Sequence, residues 1–535
     1  MPELREAQEP TMSIDSREDG LSRREFIRRG AMLGAAAFVG GTVLDTVMGR
    51  TALAGPDAAL PNISSLLTRD QVSELLKHAL SRGGDFAEVY AEYTMLTSLT
   101  VDQGKLSTME YGVLAGTGIR VLSGKQVGYA YSDDFDMAHL RAAALTAASI
   151  ATTGVAGKPQ PYRVSGAKAP FTLNSPAPLS LSERQKIELL MHGDAAARGV
   201  DKRITQVTAS WGDTARRLLV ANSEGVFETD EQYVSRLVYI PLAVDGSLRQ
   251  SGFLSTGGTV EAGFYDIANA EALAKKAAGM AVELLSAVEP RAGTYPVVIA
   301  PGWGGVLAHE CFGHSLEGDG IRKKTSIRAT QLGTQVAAKG VNIFDDGTVP
   351  NSRGSFRVDD EGTPSRKNQV VEDGVLRGYL WDRLNLKFAD AAVSKEATLT
   401  GNGRRASYRD FPIPRMTNTY IAAGTRDPKD IISEVKQGLY CANMAGGSVN
   451  PADGNFSFAC TLAYNIEDGK ITSPVRDVTL TGNGSDAMMK IDALGTDLTI
   501  DGCSGTCGKQ GQSKPVGVGQ PTVRFSGFTV GGTKT

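Results

Sequence analysis

The chain has 535 residues, 41% of them hydrophobic and 21% charged, which is the profile of a globular protein too long for one core. A formal net charge of −3 gives no electrostatic reason to expect a nucleic-acid partner. Sixty-two glycines favour turns and hairpins over long helices, and five scattered cysteines do not make a disulfide framework.

Residues 1–54 stand apart from the fold. Ser22-Arg23-Arg24-Glu25-Phe26-Ile27-Arg28 precedes an uncharged stretch from Gly30 to Leu44 and then Ala52-Leu53-Ala54, a small-residue cleavage pattern. Together these resemble a twin-arginine (Tat) export signal, which implies a periplasmic or extracellular protein. The apolar run is short and rich in Ala and Gly, so no stable membrane span is expected once the signal is removed.

Residues 55–168 are expected to form an N-terminal α+β domain. Thr68 and Gln71 have capping-box spacing ahead of Val72, Leu75, Leu76, Ala79 and Leu80, which predicts an amphipathic helix ending at Gly83-Gly84. Ala87, Val89, Ala91 and Tyr93 alternate as in a strand. Gly118 to Tyr131 reads as a hairpin turning at Ser123-Gly124, Met137 to Ile150 as a helix, and Gly157 to Ser180 as a linker. A middle α+β region, 169–289, holds a helix over Leu181 to His192, strands from Ile204 to Val244 and a helix over Ile267 to Val288.

The pattern changes after Pro290. Residues 290–535 are expected to be β-rich, with one helix beside the motif described next and another near Lys429 to Lys436. Thr-Leu-Thr-Gly-Asn-Gly occurs at Thr398 to Gly403 and again at Thr479 to Gly484; Asn-Gly predicts a tight hairpin at each. The fold class is therefore α+β, a mixed N-terminal half followed by a β-rich C-terminal half.

His309-Glu310-Cys311-Phe312-Gly313-His314 holds two of the five histidines beside an acid. A hydrolytic metal site needs neutral imidazoles, an open position for water and a carboxylate to take the water's proton. The five-residue spacing is awkward, because it turns the rings about 140° apart on a regular helix. An inserted residue absorbed as a π-bulge, eased by Gly313, would bring them together; otherwise the pairing is coincidental. Tyr295 to Ala300 reads as a buried strand and Pro301 to Gly305 as a turn, a rigid entry to such a helix.

The segment resembles the signature of the TldD/PmbA metallopeptidases, in the branch that bears HExxxH-x-LEGD, here His309 to Asp319. The likeness continues through Asp345-Asp346-Gly347, Asp359-Asp360-Glu361-Gly362, Gly401-Asn402-Gly403-Arg404-Arg405 and Arg415-Met416-Thr417-Asn418-Thr419. It ends with Cys507-Gly508-Lys509 and Pro515 to Pro521. The resemblance implies a zinc site made by His309, His314 and Cys507, with Glu310 as catalytic base. It also implies small or unfolded peptides as substrates and a two-subunit assembly, either a homodimer or a heterodimer with a PmbA-like subunit. Its rival is a non-catalytic peptide-binding subunit with structural zinc. Ser315 and Gly320-Ile321 depart from the family pattern. Cys503 is either inert, a disulfide partner of Cys507 or a competing ligand. Cys311, Cys441 and Cys460 read as core, and His78, His139 and His192 as helix-surface residues. Glu317 and Asp319 are either partners of the histidines or a solvated turn. Arg404 and Arg405 are read as a surface pair, with a peptide carboxylate clamp as the alternative.

Overall fold

Thr68 accepts a hydrogen bond from Gln71 N–H while Gln71 accepts one from Thr68 N–H, the reciprocal cap that the spacing predicts. It starts helix α1 (Arg69–Leu80), which buries Val72, Leu75, Leu76, Ala79 and Leu80. Each fully buried leucine contributes about 1.5–3 kcal/mol, so Leu76→Asp would break the docking of this helix. A computed structural model describes residues 60–150 and 161–531, without the side chain of residue 150. The twin-arginine segment and the first part of the linker lie outside the described residues.

Helix α2 (Met137–Ile150) lies beside α1. The two cover strands β1 (Phe86–Asp102) and β2 (Lys105–Ser123), through Ala87, Val89, Ile119 and Val121. The hairpin from β2 to β3 (Gln126–Ser132) turns where the sequence places it. Strand β1 also pairs antiparallel with β4 (Ile204–Asn222), from Glu88↔Asn222 to Asp102↔Thr208. Residues on both sides of the linker therefore share one sheet. With β5 (Phe227–Asp245), β6 (Leu248–Ser251) and β7 (Leu254–Gly258) it has seven strands, ordered β3-β2-β1-β4-β5-β6 with β7 also on β5. Helices α3 (Glu183–Arg198) and α4 (Ile267–Leu285) cover its other end, packing on Ala209, Trp211, Leu237 and Tyr239.

The C-terminal region is built on β8 (Gly293–Ile299), which lies between the parallel strand Gln437–Val449 and the antiparallel strand Val523–Gly531 in a second seven-stranded sheet. A smaller sheet contains Ile343–Asp346, Asn418–Ile421 and Gly517–Gln520. Val297, Ile299, Leu307, Phe312, Trp381, Met416, Phe458 and Phe525 share the core. A helix occurs at Pro428–Ser433 as expected; Arg383–Lys387 and Gly484–Met489 are short helices that periodicity did not reveal.

The two Thr-Leu-Thr-Gly-Asn-Gly copies are not hairpins, contrary to expectation. Asn402 is buried and donates to Asp345 and to the Arg415 carbonyl, whereas Asn483 caps the helix Gly484–Met489. Each asparagine side chain finds a partner that a two-residue turn would not supply.

Arg404 and Arg405 are likewise not a surface pair. Arg404 donates to the carbonyls of Met416 and Pro515. Arg405 belongs to a buried ionic seam between the first sheet and the C-terminal region. There Glu88 lies 2.9 Å from Arg120 and 2.5 Å from Arg405, and Arg120 lies 2.7 Å from Glu361, all with fully buried side chains. Arg216 binds Glu92 and Asp360, each at 3.0 Å, and Lys514 reaches Asp360 at 3.4 Å. These pairs fix the C-terminal region against the sheet face that the helices leave uncovered.

Candidate metal centre

After β8 the chain turns at Gly302 and passes through a short 3₁₀ turn, Trp303–Gly305, into helical residues Val306–Ala308. His309–Gly313 then form one π-helical turn, closed by His314 N–H donating to the His309 carbonyl. This wider turn accommodates the five-residue spacing, so both imidazoles reach one side, with ring centroids 5.3 Å apart at 86°. Gly313 has ordinary helical φ of −50°; its importance lies elsewhere, since a Cβ there would overlap the Met416 sulfur. Cys311 and Phe312 point into the core, as expected for Cys311.

Cys507 arrives from the far end of the chain. It lies on Thr506–Lys509, which pairs with Gln512–Pro515. Arg415 anchors this hairpin from beneath, donating to the carbonyls of Cys507 and Gln512 at 2.6 and 2.8 Å. The Cys507 sulfur lies 3.2 Å from His314 Nε2, and donor atoms of His309, His314 and Cys507 all fall within 4.8 Å of one another. Cys503 and Cys507 are both free thiols in the structure, and Cys503 is not in the cluster. His78, His139 and His192 lie on helices and pair with Glu74, Asp134 and Glu271.

A chain of charge holds the cluster in register. His314 Nδ1 meets Glu317 at 3.0 Å; Lys509 Nζ meets Glu317 at 3.0 Å and Asp319 at 2.6 Å. Glu317 is buried, so it is a partner of His314 rather than part of a solvated turn. Burial pushes its carboxyl up, but Lys509 and then His314 overcome this and hold it at about 2. Lys509 thereby ties the cysteine hairpin to the histidine turn. Neither Lys509 nor Arg415 was assigned a role from sequence, although both lie inside the motif strings; their contacts cross about a hundred residues or more.

Electrostatics around the donors follow from burial and mutual pairing. Burial acts to raise the Cys507 thiol, yet the two imidazoles hold it well below the usual range. Burial acts to lower His314, yet Glu317 and Cys507 raise it well above the usual range. Glu310 is raised by burial, and its carboxylate lies 3.9 Å from His314 Nε2. His309 Nδ1 is buried without a hydrogen-bond partner. Two imidazoles, one with a partnerless buried Nδ1, and a thiol whose ionisation they favour fit a borderline-soft divalent metal held by three protein donors.

Comparison with known proteins agrees in extent. The domain 1, central domain and C-terminal domain of the PmbA/TldA metallopeptidases match residues 87–151, 176–285 and 292–532. The metalloprotease TldD homolog of Haemophilus influenzae is 37% identical over 480 residues, spanning 88% of this chain and 98% of its own. A metalloprotease of Methanothermobacter thermautotrophicus is 34% identical over 455 residues, spanning 84% of this chain and 96% of its own. Among solved structures, TldE from Thermococcus kodakarensis shares the fold, with a TM-score of 0.68 at 21% identity over 86% of this chain and 100% of that one.

Proposed function

The chain belongs to the PmbA/TldA metallopeptidase family, and from that premise we propose that it is a zinc-dependent peptidase of the HExxxH-bearing branch acting on small or unfolded peptides. The observation that carries this reading is the convergence of His309, His314 and Cys507 within 4.8 Å, with the Glu310 carboxylate beside them.

In this reading those three residues hold the metal. When bound, zinc supplies Lewis acidity that polarises the scissile carbonyl and acidifies water. Glu310 accepts the water's proton on its carboxylate and returns it to the departing amine nitrogen. Burial raises the proton affinity of Glu310, which favours uptake of the water's proton. Glu317 orients His314 through Nδ1, leaving Nε2 for the metal. A thiolate donor lowers the net charge of the site, which places more of the work on Glu310. Three protein donors suit a catalytic site better than a structural one, which usually has four.

Glu310→Gln checks the mechanism. It is expected to retain one zinc per chain while turnover of unstructured peptides falls by about 10²–10⁴-fold. Near-wild-type hydrolysis by that variant would show the mechanism to be wrong even with the metal site intact.

We further read the protein as exported through the Tat route, on the strength of Arg23-Arg24 and the segment that follows. Replacing both by lysine is expected to leave precursor inside the cell, and continued export would contradict the reading. The working assembly is taken to be a two-subunit one, a homodimer or a pair with a PmbA-like subunit. Light scattering of the purified chain distinguishes a homodimer from a monomer awaiting a different subunit.

A further inference from the structure

Apart from the metal centre and the seam, two arginines come together without an ion pair: Gly257, opposite Arg236, leads into Thr259, whose N–H donates to the Asn351 carbonyl at 3.0 Å and whose hydroxyl donates to the Ser352 carbonyl at 3.3 Å, beside Arg353. Arg236, on β5, is 9% exposed, has buried Nε and Nη2 with no hydrogen-bond partner, and forms no ion pair among the described residues. Arg353 donates to the Cys503 carbonyl through Nη1, is partly exposed, and has an unpartnered Nε. Burial, and then repulsion from Arg236, brings the Arg353 guanidinium down to about 10. Asp501 attracts Arg353 but makes no ion pair with it; its oxygens already accept from Cys503 N–H, Ser504 N–H and the Ser504 hydroxyl. The Cys503 thiol faces both arginines, and burial keeps it raised toward the neutral form; two like charges here, each with spare donors, are costly unless an anion joins them.

Space is open beside Arg236 at one point, Gly212. Arg236 alternates along β5 with Leu237, which packs under α3 and α4, so its side chain leaves the opposite face of the sheet. Its cross-strand neighbours are both glycines, Gly212 on β4 and Gly257 on β7. A Cβ at Gly212 would meet nothing within 4 Å. Phe253 lies against the guanidinium at 5.7 Å from its ring centroid. On the other side, Arg353 N–H donates to the Gly502 carbonyl at 2.8 Å, which seats it on the segment leading into the Cys507 strand. Cys503 precedes Cys507 by four residues, at most about 14 Å of extended chain.

We propose that Arg236 and Arg353 form a carboxylate-binding subsite that selects peptides carrying an acidic side chain or free C-terminus within about four extended residues of the scissile bond. This rests on the peptidase reading above. Guanidinium pairs suit a carboxylate because each offers parallel N–H donors to its two oxygens.

The test compares matched peptides that differ only in a carboxylate: a free C-terminus against its amide, and Glu against Gln at each of four positions on either side of the cleaved bond. Zinc-loaded wild type is expected to favour one acidic member roughly 10–100-fold in kcat/KM. In Arg353→Gln and Arg236→Gln that ratio should collapse toward one, while Arg353→Lys retains part of it. The position showing the preference tells a C-terminal carboxylate from an acidic side chain. Equal use of all pairs by wild type, or a preference that survives both glutamine variants, overturns the proposal. Binding of the same pairs to Glu310→Gln provides a readout independent of turnover. A carboxylate preference in binding with no hydrolysis by wild type would sink the peptidase reading and keep the subsite; hydrolysis without discrimination would do the reverse.

Discussion

At the ionic seam, Glu88 and Asp360 are each answered by two basic groups of the same chain. At the metal centre, Glu317 answers His314 through Nδ1, but the donors of His309, His314 and Cys507 crowd within 4.8 Å of one another and His309 Nδ1 has no hydrogen-bond partner. Both regions are buried and both join distant parts of the sequence. The seam closes its own charge and so acts as a fastener. The centre leaves its charge incomplete, which suits a site kept for a cation.

The contrast can be broken from either side. Arg405→Ala removes one of the partners of a fully buried Glu88 and is expected to cost about 3–5 kcal/mol. Folded protein should still bind one zinc. Cys507→Ala is its mirror: stoichiometric zinc disappears while the unfolding midpoint of the metal-free protein shifts far less. Chemical denaturation paired with metal analysis of both variants checks the division. Equal zinc loss in the two would merge the regions into one functional unit.

A smaller effect sharpens the account of the centre. Glu317→Gln keeps shape but withdraws the negative charge from His314 Nδ1 and strands Lys509, so zinc affinity is expected to fall about 10–100-fold. A competitive chelator titration reads that change, and unaltered affinity would make the Glu317 contact incidental.

A further effect depends on pH and lies at Asp382, a buried acid beside Glu361 and Arg120 of the seam. Burial and then Glu361 push Asp382 from 3.8 to about 7. The fold thus favours the protonated acid. Its contribution to stability is full below pH 3.8 and is lost as pH rises through 7. Asp382→Asn keeps the cap on Arg383–Lys387. It should therefore raise the melting temperature by a few degrees at pH 8 and change it little at pH 4, as calorimetry at the two values would show.

What could be read from the sequence was what neighbours in sequence decide. The Thr68–Gln71 cap, the helices α1, α2 and α4, the β2–β3 hairpin and the bulge between His309 and His314 all depend on short spacings. Cys507 became a candidate only through family resemblance, because no local pattern connects it to a histidine 193 residues away. Arg404 and Arg405 were misread for the same reason: the acids that bury Arg405 belong to β1 and the segment around Asp360, and no periodicity announces them. The asparagines of the repeated hexapeptide were misjudged because a distant acid and a new helix start outweighed the local turn preference of Asn-Gly.

The separation of His314 from Cys507 also has a meaning in time. A ribosome adding about 5–20 residues per second needs on the order of 10–40 s to pass from one to the other. Throughout that interval the nascent chain has His309, Glu310 and His314 but neither the Cys507 sulfur nor Lys509. On the peptidase reading, an unfinished chain would therefore lack the third zinc donor until Cys507 is made. On that reading, the order of synthesis would keep the site incomplete until the hairpin of Cys507 and Lys509 has formed.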